Sequence, residues 1–159
     1  MIFNVFLLMV GSGVVATAVD DLVSRCVFGK SHWDLVGRWI AGIPRGKWIN
    51  ADITHTPSLS YEAALGWGFH YLTGIIYGVM YIGLCLFSGT EPNLISAITF
   101  GIMTVLAPFF ILMPGMGIGV LARNSPTPLK KCLSALFAHV VFGAGLWIGA
   151  QCIRISMSS

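Results

Sequence analysis

An all-α, polytopic membrane fold, with four crossing helices arranged as two hairpins, follows from three observations on the chain. Only 9% of the 159 residues are charged and 56% are hydrophobic, with a mean hydropathy of +0.84, whereas a soluble domain carries roughly 25% charged residues. Four apolar runs, at about 2–23, 63–87, 94–113 and 129–153, are each long enough to cross a hydrocarbon core of about 30 Å. Eight of the nine Lys and Arg residues fall in segments 25–60 and 114–131, the second of which reaches into the entry of the last run, and such a bias marks cytoplasmic loops. Both termini are then expected outside, and residues 1–159 form one transmembrane domain. The net charge of +3 reads as topology, so nucleic acid is not an expected partner.

The first run is apolar apart from Asn4, Ser12, Thr17 and the pair Asp20 and Asp21. Ala16, Thr17 and Ala18 resemble a signal-peptidase site, but no Lys or Arg precedes them, and cleavage would put the most basic loop on the wrong side. The run is therefore expected to stay as a span. Segment 25–60 holds Arg25, Lys30, Arg38, Arg45 and Lys47 with Trp33, Trp39 and Trp48. Ser31 and Asp34 suit a capped helix start, and Trp33, Val36, Ile40 and Ile43 then share a face, as in an interfacial amphipathic helix. Such a helix places Trp rings among headgroups, so Arg38, Arg45 and Lys47, with Arg123 from the second basic loop, are candidate contacts for anionic lipid.

Ser60 suits the N-cap of the second span, and Glu62 suits its first turn, where the helix dipole favours a carboxylate. The link 88–93 has no basic residue, as an outer turn should. Pro108 interrupts the third span and removes a backbone donor, which predicts a kink or an opened carbonyl. Thr127 and Pro128 suit the N-cap and first position of the last helix.

The second span begins GWGFHYLTGIIYGVMY, where Gly66, His70, Gly74 and Gly78 recur every four residues and so share one face. Small residues at this spacing admit a close neighbour in a bilayer. The imidazole in that face is a functional candidate because ionisable groups are costly there. Counting residues at about 1.5 Å each places Asp20, His70 and His139 in the cytoplasmic third of their spans, a candidate polar centre. His139 and Gly143 repeat the spacing of His70 and Gly74, which hints at a duplicated hairpin. Asp21 stands four residues before Arg25, the spacing of an interfacial ion pair.

Pro108, Pro114, Gly115, Gly117 and Gly119 make a glycine-rich exit from the membrane, a candidate gate or backbone nest for an anion beside Arg123 and Lys130. There is no Walker lysine and no preceding strand, so a nucleotide site does not follow. Cys26, Cys85, Cys132 and Cys152 lack metal-binding spacing, and Cys85 and Cys152 fall near the same outer ends of their spans, which is compatible with a disulfide. No cofactor is predicted. If a metal ion is bound, two imidazoles and a carboxylate, His70, His139 and Asp20, would be its ligands, in the manner of a facial triad.

GRW (37–39), IPRG (43–46), GWGFHY (66–71), APFFILMPGMGIG (107–119) and HVVFGAGLW (139–147) stand in an order that resembles one family, small bacterial inner-membrane proteins grouped as domain of unknown function 2938. The resemblance covers essentially the whole chain. It implies a four-span, multi-pass protein of the bacterial inner membrane with no established activity, and it offers Arg38, His70, Pro108, Pro114, Gly115, Gly117 and His139 as candidates without roles. Three functions stay open at this point. One is a transport or permeation unit, as a homo-oligomer, using Asp20, His70 and His139; another is a membrane metal protein or enzyme on the same residues. The last is a lipid-contact or assembly subunit without chemistry of its own, whose basic Trp-rich loop binds headgroups.

Overall fold

The computed structural model describes residues 2–158, with side chains described for 3–156. Its regular elements are all helical: α1 (Ile2–Phe28), α2 (Trp33–Gly42), α3 (Glu62–Phe87), α4 (Leu94–Thr104), α5 (Met113–Gly115) and α6 (Pro128–Ser158), with short 3-10 turns between. A π-helical turn, Pro108–Leu112, joins α4 to α5. Four stretches, Phe3–Phe28, Glu62–Phe87, Leu94–Gly115 and Pro128–Ser156, are long and apolar enough to cross a membrane. The chain divides into two compact units, one of residues 1–29, 71–104 and 137–159, the other of residues 30–70 and 105–136.

The first unit is a helical bundle whose helices meet where side chains are smallest. A Cβ on Gly78 would lie 2.6 Å from the Met9 carbonyl oxygen, and one on Gly143 would lie 2.6 Å from that of Ala97. Neither α1 and α3 nor α4 and α6 have room for that atom. This is the close approach that the glycine spacing predicts. Tyr81, Ile82, Cys85, Phe142 and Leu146 fill the buried core, with Tyr77 and Phe100 packed on its edge. Leu72, Ile76, Met80 and Leu84 are exposed on α3, as a lipid-facing stripe requires.

The end of this unit that holds the 88–93 link is closed by polar bonds. Gly89, at φ +65°, lets the Thr90 amide reach the Cys85 carbonyl and terminates α3. Asn93 Oδ1 accepts from the Ser96 amide and caps α4, while the Tyr81 hydroxyl lies 2.9 Å from Ser96 Oγ. Arg154 pairs with Glu91 across the same end. All four cysteines are free, with Cys85 buried and Cys152 exposed, so no disulfide joins them. Asp21 accepts from the Tyr71 hydroxyl.

In the second unit α2 is the short helix expected in segment 25–60, and it packs on α3. It buries Val36, Gly37 and Trp39 against the first turns of α3, where Gly37 abuts the Glu62 carbonyl and Gly66 abuts that of Trp33. The capped start predicted at Ser31 is absent, since the N-cap position is His32 without a side-chain bond. Glu62, in the first turn of α3, reaches back to the segment before it: its Oε2 accepts from the Leu59 amide at 2.9 Å. Pro108 opens the helical ladder without ending it, because the Met113 amide reaches back to the Pro108 carbonyl and makes the wider π turn.

Candidate functional site

Around α2 a long polar segment is fastened at three places. Arg38 donates Nε to Glu62 Oε2 and Nη2 to Oε1, both at 2.8 Å, a bidentate pair whose side chains are 10% and 11% exposed. Its Nη1 donates to the Thr56 carbonyl at 2.8 Å and to that of Ile53 at 3.3 Å. Every arm of the guanidinium is thus spent inside the protein. The Glu62 bond raises the Arg38 pKa against the opposing cost of burial, so the side chain stays charged. Arg38 is therefore not a headgroup contact, contrary to the expectation from the sequence. The basic, Trp-rich composition did not reveal that one cation had an acidic partner 24 residues away.

Trp39 Nε1 donates to the Trp48 carbonyl at 2.9 Å, and its indole packs against Gly115, where a Cβ would lie 2.5 Å from Nε1. The Asn50 amide and side chain both donate to the Gly115 carbonyl, at 2.9 and 3.0 Å. Gly115 is thus a seat for an indole rather than part of an anion nest. Asn50 was missed in the sequence, where only its place between Trp48 and Pro57 marked it. Asp52 accepts from the Thr54 hydroxyl and amide and faces His55 at 3.0 Å, and these bonds hold its carboxyl below the usual pKa.

Between these fastenings the chain presents its side chains outward. Trp48 is 63% exposed and Ile49 76% exposed, and Arg45, Lys47 and Arg123 are also exposed, with no ion pair among the described residues. Pro114, Gly117, Gly119 and Arg123 line a cavity of about 340 Å³ together with Ile49 and Ala51. The glycine-rich exit is therefore the wall of a space whose opposite wall comes from the basic loop.

Each of the three candidates of the polar centre has a defined neighbour. Asp20 Oδ1 accepts from Ser24 Oγ at 3.0 Å. His70 stacks on Trp33, with ring centroids 3.8 Å apart, and meets the edge of Trp67 at 6.0 Å. His139 Nδ1 lies 2.7 Å from Thr104 Oγ1, and that hydroxyl lies 2.6 Å from the Gly101 carbonyl oxygen. A carbonyl accepts only, so the hydroxyl proton must sit in the shorter contact, and Nδ1 must then be the donor to Oγ1. The neutral ring accordingly carries its lone pair on Nε2. Thr104 was not singled out from the sequence, although Gly101 and Thr104 lie on one face of α4. Among the described residues no three His, Cys, Asp or Glu side chains gather to hold a metal ion.

Residues 8–153 match the family described as Protein of unknown function (DUF2938). The chain belongs to that family. No curated protein and no solved structure matches it. Within this DUF2938 chain, Gly37, Arg38, Trp39, Gly66 and Gly115, from three of the quoted sequence blocks, fasten the polar segment to the helices and so build a platform.

Proposed function

We propose that this protein acts as a lipid-contact protein of the bacterial inner membrane, with segments 25–60 and 114–131 on the cytoplasmic side and the loop around Trp48 engaging anionic headgroups. One observation carries the reading: Trp48 and Ile49 are exposed while the backbone beside them is bonded on both sides, by Trp39 to the Trp48 carbonyl and by Asn50 to Gly115. Two large apolar side chains held outward on a fixed backbone lose little further order on entering a headgroup layer. Arg45 and Lys47 flank them without acidic partners, and each cation near an anionic surface contributes about 1 kcal/mol. The test is thermal unfolding of the detergent-solubilised protein titrated with phospholipid. Anionic lipid is expected to raise the midpoint more than zwitterionic lipid, with most of the difference lost in Arg45→Gln/Lys47→Gln. Equal shifts for both lipids would overturn the reading.

A second reading, a transport or permeation unit, is favoured by the His139–Thr104 bond, since it fixes the tautomer of an imidazole within a membrane-crossing helix. The bundle core is filled by Tyr81, Ile82, Phe142 and Leu146, so a pathway would have to form between copies. In proteoliposomes, proton or solute flux is expected to vanish in His139→Ala, and flux at the wild-type rate would remove this second reading.

A further inference from the structure

The cavity beside Arg123 has a composition that matches one kind of ligand. Its volume is about 340 Å³, at the lower end of the roughly 300 to 1,000 Å³ typical of small-molecule sites. It lies on the stretch that links the third span, ending at Gly115, to the last, beginning at Pro128, which is where the chain leaves the hydrocarbon. Ile49, Ala51, Pro114 and Val120 give it apolar walls, and Arg123 supplies the positive charge. Asn50 and Asn124 also line it, and both spend their amide nitrogens on the protein, on the Gly115 and Gly117 carbonyls. Each amide oxygen is left as an acceptor.

The backbone that carries Arg123 is held in an unfavourable form. Leu121 and Ala122 both have positive φ, 52° and 57°, a conformation that costs an L-residue with a side chain free energy at each position. It persists because the Ala122 amide bonds to the Gly119 carbonyl, the Asn124 amide to that of Ile118, and Cys132 Sγ to that of Leu121. Strain of this kind, fixed by several bonds, tends to accompany ligand sites.

We infer that this cavity seats a single anionic glycerophospholipid, with the phosphate on Arg123, headgroup hydroxyls on the amide oxygens of Asn50 and Asn124, and the glycerol end against Ile49, Ala51 and Val120. The inference rests on the lipid-contact reading and deepens it from a charged surface to a stoichiometric site. A charged side chain meeting a phosphate with its hydrogen bond supports affinity that a diffuse surface charge does not.

Native mass spectrometry of the detergent-extracted protein, with an anionic glycerophospholipid added back in equal amount to each variant, tests it. One bound lipid per chain is expected in the wild type. Occupancy should fall about tenfold or more in Arg123→Gln, which loses a charge-assisted bond. Ala51→Phe, which fills the cavity and leaves the charge alone, should displace the lipid as well. Unchanged occupancy in both variants would overturn the site while leaving the lipid-dependent stability of the wild type, and hence the broader reading, intact. If glycerol 3-phosphate, without acyl chains, binds with the same dependence on Arg123 and the lipid does not, the ligand is a soluble phosphate and the lipid assignment falls.

Discussion

Replacing Arg38 with methionine is expected to lower folding stability by about 3 to 5 kcal/mol, the range for removing one partner of a buried ion pair. The magnitude follows from what is left behind. Glu62 would keep its bond from the Leu59 amide but lose two charge-assisted bonds of 2.8 Å in a place where its side chain is 11% exposed. The carbonyls of Thr56 and Ile53 would lose their donor together with it. Converting both residues, Arg38→Met with Glu62→Leu, should recover a large share, since a hydrophobic pair can replace a buried ion pair at little net cost. Thermal or denaturant unfolding in one detergent measures all three variants. A single-variant loss below about 1 kcal/mol would mean that the pair behaves as an exposed one, and that α2 is not fastened through it.

The role of Arg38 also shows where the sequence could be read and where it could not. Apolar run length and the bias of basic residues depend on the bilayer rather than on partners, so the four crossing helices were legible from the chain alone. Glycine spacing in α3 likewise announced close contact, because a missing Cβ has the same meaning whichever helix arrives. The platform was not legible. Arg38 with Glu62, Trp39 with Gly115 and Asn50 with Gly115 join residues 24 to 76 positions apart, and in each case the composition of the segment suggests lipid just as well as protein. For the polar centre, depth counting sets Asp20, His70 and His139 at one level, but which side chains each one meets, Ser24, Trp33 and Thr104 among them, depends on helix rotation.

Helix pairing gives the suggestion of a duplicated hairpin more substance than the two H-x-x-x-G matches alone. In α1 the Thr17 hydroxyl donates to the Gly13 carbonyl, and in α4 the Thr104 hydroxyl donates to that of Gly101. Gly13 meets Gly74 of α3, and Gly101 meets Gly143 of α6. Each pair thus sets a glycine and a back-bonded threonine on one helix against a glycine on the other, four residues after a histidine. The threonines differ in spacing from their glycines, by four residues in α1 and three in α4. That offset places Thr104, in the second pair, within reach of a ring nitrogen.

Gly66→Ala should destabilise the protein at or above the top of the roughly 1 to 3 kcal/mol typical of overpacking, and Gly68→Ala, two residues along the same helix, should do the reverse. At Gly66 the new methyl would fall on the Trp33 carbonyl, with the Trp33 carbonyl carbon at 2.6 Å and the Gly37 amide at 3.1 Å. Those are backbone atoms that no rotamer change can clear, so α2 must move off α3, and the Arg38–Glu62 bonds and the Trp33–His70 stack must lengthen with it. At Gly68 nothing lies within 4 Å, and alanine there gains the roughly 0.5 to 1 kcal/mol by which it exceeds glycine inside a helix. The two variants share composition and helix and differ in what the added atom meets, since Gly66 is buried and Gly68 exposed. Unfolding midpoints moving in opposite directions would locate the α2–α3 contact at Gly66, and parallel shifts would show that α2 does not rest there.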